Sequence, residues 1–102
     1  MLFLMTAKHN PEGCPLQNEK AKKATAEFTT KMEGLLKKHG IKIIGAWHSH
    51  GDHSTVAVYD APSMEALLKF SMEPEAVIWA AYNVVETKPV MTLEESLKMF
   101  LK

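Results

Sequence analysis

One long amphipathic segment, preceded by a short apolar run, restricts the fold of this chain more than any other feature of its sequence. From Gln17 to His39, apolar side chains recur at the three- and four-residue spacing of a helix, and Gly40 ends the pattern. Before this segment, Leu2 to Lys8 is an apolar run of strand length that ends close to Pro11. The order predicts a first strand followed by a helix of several turns that packs back on the sheet.

Two further strand-like segments follow the helix. Ile41 to His50 and His53 to Tyr59 are separated only by Gly51 and Asp52. Glycine followed by a small polar residue is typical of a two-residue type II′ hairpin turn. The sequence therefore predicts a tight β-hairpin with His50 and His53 on either side of the turn.

The last third of the chain continues the alternation of elements. Ser63 is predicted to cap a helix that runs through Phe70, and Pro74 permits a second short helical piece. Asn83 to Met91 is predicted to be the last strand, and Thr92 opens a C-terminal helix with a near-capping-box pattern. With these elements the order becomes β-α-β-β-α-β plus a terminal helix.

This order favours an α+β fold of the ferredoxin-like type. Connection rules give a four-stranded antiparallel sheet in the order 4-1-3-2, with the helices on one face. A length of 102 residues fits a single domain, residues 1–102. The strands are apolar on both faces, as in the alternation of Val56 and Val58 with Ala57 and Tyr59. A homodimer packed sheet to sheet would cover the second face.

Charge and cysteine content exclude several classes of partner. The 12 basic and 12 acidic side chains cancel, and no basic patch suggests a nucleic-acid or membrane partner. The apolar opening MLFLMTA has no basic leader and is far shorter than the roughly twenty residues of a membrane span. Cys14 is the only cysteine, so no intramolecular disulfide is expected, which fits a cytoplasmic location.

At the level of whole segments the chain resembles a known family. The segments MLFLMTAKHNPE, IIGAWHSHGDHSTVAVYDAPSMEALLKF and VVETKPVMTLEE are similar to small dimeric α/β-barrel proteins of the GYD-domain and DUF3303 type. The resemblance spans nearly the entire chain and implies a dimeric α/β barrel. Relatives on this scaffold include haem-degrading and quinol-forming monooxygenases, lactone isomerases and ligand-sensing modules, so it implies no single activity. Where the GYD-type hairpin usually carries an acidic-aromatic pair, this chain has His50-Gly51-Asp52-His53.

The segment WHSHGDH, from Trp47 to His53, points to a metal. In a two-residue turn the β-carbons of His50 and His53 would lie roughly 5 Å apart, and His48 would project from the same face. Three neutral imidazoles suit zinc, with iron or copper as alternatives, and leave one coordination position open. Trp47 faces the other way by strand alternation and is expected in the core.

Topology brings further candidate ligands to the same edge of the sheet. The end of the first strand and the tip of the hairpin should lie together, which adds His9 and the loop that carries Cys14. His9 or Asp52 could supply a fourth ligand or orient one of the others. Each has a simpler interpretation, since His9 can merely close a strand, Asp52 can serve the turn, and Cys14 can fill a loop. His39 is predicted at the opposite edge and is excluded.

A short string also matches an enzyme family. His48 to His53 fits the H-x-H-x-D-H run of metallo-β-lactamase-fold hydrolases, which bind one or two metal ions there. That family needs a longer chain with more histidines downstream, whereas this sequence has no histidine after His53. The match is interpreted as convergence on a spacing that suits metals.

Three functions remain open from the sequence. The first is a small cytoplasmic homodimer that binds a transition metal through the histidine hairpin, whether as an enzyme on a small molecule or without catalysis. The second is a metal-free, small-ligand-binding or stress-related module in which His48 and His50 act as acid-base or hydrogen-bonding groups. The third is a structural subunit of a larger assembly. Metal identity, substrate and the role of Cys14 are not determined by the sequence.

Overall fold

The predicted order of elements is confirmed in a computed structural model, which describes residues 1–101. Four antiparallel strands form one sheet in the order β2-β3-β1-β4, and the fold is the predicted α+β ferredoxin-like one. The strands are β1 (Leu2–Lys8), β2 (Lys42–Ser49), β3 (Ser54–Asp60) and β4 (Val84–Val90). The helices are α1 (Glu19–Lys38), α2 (Met64–Ser71), α3 (Pro74–Ala80) and α4 (Leu93–Phe100), and a 3₁₀ turn spans Pro11–Gly13.

Side-chain caps explain where three of the helices begin. The side chains of Asn18, Ser63 and Thr92 accept hydrogen bonds from backbone N–H groups in the first turns of α1, α2 and α4. Each cap satisfies a donor that has no partner within its helix. At the other end of α1, Gly40 adopts a left-handed backbone with φ of 69°, which ends the helix at little steric cost. The caps predicted at Ser63 and Thr92 are confirmed.

The hydrophobic core lies between one face of the sheet and α1, α2 and α3. Phe3, the second residue of β1, is fully buried. Its neighbours include an aromatic group in which the ring of Phe28 lies 5.9 Å from that of Phe70 and 5.1 Å from that of Trp79. Each fully buried side chain of this size contributes about 1.5–3 kcal/mol. The buried members of the core are Phe3, Met5, Ala7, Phe28, Leu36, Ile41, Ala57, Tyr59, Ala61, Leu67, Phe70 and Ala76.

The opposite face of the sheet is open in the single chain. Trp47 lies there, paired with Val56 across the strands, and is 63% exposed. Its indole covers Gly45, where an added β-carbon would lie only 2.6 Å from the ring. The expectation that Trp47 belongs to the core of the chain was wrong, because strand alternation turns it toward the face that no helix of the chain covers.

The C-terminal helix α4 is a second apolar surface. None of its residues in the described chain is buried, and Leu93 and Phe100 are 74% and 77% exposed. An amphipathic helix is normally stabilised by packing its apolar side, whereas the apolar side chains of α4 within residues 1–101 stay largely exposed. Across those residues no helix is long and apolar enough to cross a membrane.

The predicted two-residue hairpin turn was wrong. The last paired residues are Ser49 and Ser54, so β2 and β3 are joined by a longer loop over residues 50–53. Within it the Ser54 hydroxyl donates to Asp52 Oδ1 over 2.7 Å, and His53 has a left-handed φ of 55°. The aspartate bond and the left-handed residue stabilise the longer loop. Consequently, His50 and His53 do not form a cross-strand pair.

Candidate metal site

Two histidines and the cysteine converge at one edge of the sheet. His9 directly follows β1, Cys14 follows the 3₁₀ turn, and His53 ends the β2-β3 loop. One potential ligand atom from each of these residues lies within 4.8 Å of the other two. Since His53 is distant from the other two in sequence, only the folded sheet brings the three together.

His9 and His53 are joined both through the backbone and through their rings. The His9 backbone N–H donates to the His53 carbonyl oxygen over 3.1 Å, while His53 Nδ1 and His9 Nε2 are 3.3 Å apart. The two rings meet edge to face, with centroids 5.1 Å apart. Histidine is one of the few non-glycine residues enriched in the left-handed conformation that position 53 adopts. The strained backbone thus sits in the residue whose ring and carbonyl both contact His9.

Cys14 is held by backbone hydrogen bonds in the loop between the 3₁₀ turn and α1. Its carbonyl oxygen accepts from the backbone N–H groups of Gln17 and Asn18, over 2.9 and 2.8 Å. The cysteine is only 6% exposed. Its sulfur nevertheless belongs to the close group with the two histidines. From the sequence, filling a loop was the simpler interpretation of this cysteine. The available signal was its position in the loop that leaves β1 at the same edge as the hairpin.

His48 and His50 lie beside this group. The ring of His48 is nearly parallel to that of His9, with centroids 6.4 Å apart, and it contacts the ring of His50 at 4.6 Å. His48 Nδ1 is 2.9 Å from the Thr55 hydroxyl, so Nε2 remains for another partner. Both histidines are exposed. Together with the close group they line a cavity of about 500 Å³, whose lining residues are His9, Cys14, Pro15, Leu16, Thr25, His48, His50 and His53.

The remaining polar residues singled out in the sequence have other contacts. Hydrogen bonds from Ser54 and Ser49 lower the pKa of the exposed Asp52 carboxyl, and Asp52 is not among the residues that line the cavity. His39 Nε2 lies 3.5 Å from the Glu73 carboxylate, beyond the end of α1. Four of the five histidines thus share one edge of the sheet, as the topology predicted.

His9 is biased toward its neutral form. Burial lowers its pKa from the usual 6.5, as do the neighbouring His53 and His48, while a hydrogen bond to Asn83 opposes them. The Asn83 amide is oriented by Nδ2, which donates to the Trp79 carbonyl oxygen over 2.9 Å. Its Oδ1 is therefore free to accept an N–H of His9. Because Nε2 faces His53, Nδ1 is the nitrogen left for Asn83, and Nε2 can offer its lone pair to a cation.

A second cavity lies between the sheet and the helices. It has a volume of about 450 Å³ and a mainly apolar lining that includes Phe28, Met64 and Trp79. Tyr59, on β3, also lines it, and burial raises the pKa of its phenol. The cavity is large enough for a small apolar molecule.

The sheet order and the helix layer define a ferredoxin-like α+β protein of the kind found in antibiotic biosynthesis monooxygenases. A candidate monooxygenase of this type from Caulobacter crescentus has a TM-score of 0.56 at 14% identity, with 89% of this chain and 90% of that chain covered. A second structure, named as an antibiotic biosynthesis monooxygenase, has a TM-score of 0.55 at 12% identity, with 90% and 100% covered. A protein of unknown function from Rhodopseudomonas palustris has a TM-score of 0.53 at 14% identity, with 89% and 84% covered.

At such low identity these likenesses establish the fold alone. The family is established separately, because the model of the domain of unknown function DUF3303 matches residues 1–102. The chain belongs to that family, as the sequence resemblance indicated. No curated protein matches the chain.

Proposed function

We propose that this protein binds a transition metal ion through His9, Cys14 and His53. The observation that carries the proposal is the close approach of their ligand atoms, all within 4.8 Å of one another. Two imidazoles and a thiolate form a borderline-soft ligand set that suits zinc first, with ferrous iron and copper as alternatives. Compared with the three histidines expected from the sequence, this set exchanges His48 and His50 for His9 and Cys14.

The geometry requires little rearrangement on metal binding. In a tetrahedral zinc site with Zn–N about 2.0–2.1 Å and Zn–S about 2.3 Å, ligand atoms lie roughly 3.3–3.7 Å apart. His53 Nδ1 and His9 Nε2 are already separated by 3.3 Å, and all three ligand atoms lie within 4.8 Å of one another. A reduced cysteine ligand also fits the cytoplasmic location that we propose.

Three protein ligands would leave a fourth coordination position facing the cavity. His48 and His50 line that cavity and can supply the fourth ligand or contact a molecule bound there. The hydrogen bonds of Asp52 lie within the turn, so its contribution would be to shape the loop. An open position allows the metal to activate water or dioxygen, or to polarise a carbonyl group, and the proposal therefore includes a metal-dependent enzyme that acts on a small molecule.

We also propose that the chain forms a homodimer through the open face of the sheet. Trp47, Val56 and Val58 lie on that face, and α4 adds exposed apolar side chains. Monomers rarely leave two such surfaces uncovered, and a second copy can cover both through one two-fold axis. If the proposal holds, light scattering coupled to size-exclusion chromatography would give twice the chain mass of 11.4 kDa.

Metal analysis tests the central proposal. Protein purified without a polyhistidine tag should retain close to one equivalent of metal per chain, and Cys14→Ser should lose it. Cobalt exchange gives an independent readout, because a cysteine ligand adds a thiolate-to-cobalt charge-transfer band in the near ultraviolet. Absence of metal from both the wild-type protein and Cys14→Ser, with no such band after cobalt loading, would refute the site.

A second candidate function rests on the cavity between sheet and helices. The apolar lining and the single phenol of Tyr59 suit a small apolar molecule with one polar group. Trp79 lines this cavity, so in a Trp47→Phe background its fluorescence reports on occupancy. Saturable quenching by an apolar probe such as anilinonaphthalene sulfonate, in metal-free protein, would support the ligand-binding module.

A further inference from the structure

We infer that the cavity at the metal site takes a small monoanion as its second ligand, held by the metal ion and by His48 and His50. The inference rests on the proposed metal site and names the chemical class of the molecule that completes it. It depends on the charges around the cavity and on the ring nitrogens of His48 and His50 that line it.

The charge balance around the cavity favours an anion. Among the described residues that line it there is no carboxylate and no lysine. A divalent ion bound by neutral His9, neutral His53 and the Cys14 thiolate leaves one net positive charge. In a partly enclosed site such a charge is poorly compensated by solvent, so a monoanion in the open coordination position would neutralise it.

The two outer histidines are placed to contact such a ligand. The rings of His48 and His50 touch each other at 4.6 Å, and His48 lies alongside His9 at 6.4 Å. His48 lies outside the close group of the three proposed ligands, yet it is near enough to His9 for a bound molecule to contact both rings. Thr55 occupies His48 Nδ1, which leaves Nε2 to donate to an anion.

Other ligand classes fit the cavity less well. A cationic molecule would meet a positive metal site with no carboxylate beside it. An apolar molecule could contact Pro15, Leu16 and the faces of the imidazole rings. It would, however, leave the open coordination position and the imidazole N–H groups without a partner. A small carboxylate or inorganic monoanion matches the charge and the imidazole donors together.

Cobalt-loaded protein and sodium azide test the inference. Azide should change the visible d–d spectrum of the bound cobalt saturably. In the double variant His48→Ala/His50→Ala, the thiolate-to-cobalt band should persist while the azide dissociation constant rises about tenfold or more. Acetate should compete with azide if carboxylates bind in the same way.

The outcomes separate the two proposals. A thiolate-to-cobalt band with a spectrum that azide leaves unchanged would overturn the anion site and leave the metal site intact. Equal azide affinity in the double variant would remove the role of His48 and His50. If the thiolate band is missing from wild-type protein, the metal site fails, and the anion site fails with it.

Discussion

His53→Gly should abolish metal binding without destabilising the metal-free protein. The left-handed φ of 55° at His53 costs about 1–2 kcal/mol for a residue with a β-carbon, and glycine removes that cost. Against this gain stand the lost hydrogen bond to His9, about 1 kcal/mol, and the greater freedom of glycine in the unfolded chain, about 0.5–1 kcal/mol. The opposing terms cancel to within about 1 kcal/mol, so the apo variant should remain folded.

The wild-type protein, by contrast, should be strongly stabilised by metal. His53 is far from Cys14 in sequence, so the full ligand set exists only in the folded chain. Zinc buffered about 100-fold above its dissociation constant should therefore add about 2.7 kcal/mol to the free energy of unfolding. For a chain of this length that corresponds to a rise in Tm of about 10–20 °C.

Differential scanning calorimetry with and without buffered zinc measures both effects. We expect the rise in wild-type protein and in His39→Ala, which removes a histidine that lies beside Glu73 and outside the cavity lining. We expect no rise in His53→Gly. A zinc-dependent Tm that is the same in His53→Gly as in the wild type would refute the assignment of this residue as a ligand. A metal-free Tm far below that of the wild type would refute the argument from backbone strain.

Four further predictions concern the dimer, the core and the histidine environment. Val58→Lys on the open sheet face should convert a dimer into a monomer in light scattering, whereas Thr29→Lys on the exposed side of α1 should not. Phe28→Ala should lower the free energy of unfolding by about 3–5 kcal/mol in urea titrations, and a loss below about 1 kcal/mol would contradict its place in the core. Asn83→Leu should weaken zinc affinity about 10- to 100-fold in competition with a chelator, and unchanged affinity would exclude it as the orienting partner. Folding lowers the pKa of His9, so the unfolded chain binds more protons below pH 6.5 than the folded chain does. The free energy of unfolding of the metal-free protein should therefore fall as the pH drops through that range, and it should fall less in His9→Gln.

The sequence was sufficient to predict those features of the fold that depend on interactions between residues a few positions apart. The helix caps at Ser63 and Thr92, the glycine stop at Gly40 and the periodicity of α1 all depend on neighbours along the chain. The sheet order followed from general connection rules applied to these elements. For the same reason the grouping of four histidines at one edge could be predicted, because it requires only the direction of each strand.

Details of the site depended on interactions that sequence spacing does not encode. The loop over residues 50–53 is longer than a two-residue glycine-aspartate turn. The Ser54 hydroxyl donates a hydrogen bond to Asp52, and His53 adopts a left-handed backbone conformation, and both stabilise the longer loop. That change removed the expected cross-strand pair and brought the His53 ring to His9. Cys14 had no partner nearby in sequence, and only the packing of its loop against the sheet edge placed it with the two histidines.

The sequence by itself determined the elements, their order and the edge where candidate ligands gather, because these follow from local propensity and short connections. The tertiary structure alone decided which imidazoles lie close to the Cys14 thiol. It also decided that the sheet face on which Trp47 lies is not covered by a helix. Those choices depend on loop backbone angles and on contacts between residues distant in the chain. Each of these contacts contributes on the order of 1 kcal/mol, and they form together only in the folded molecule.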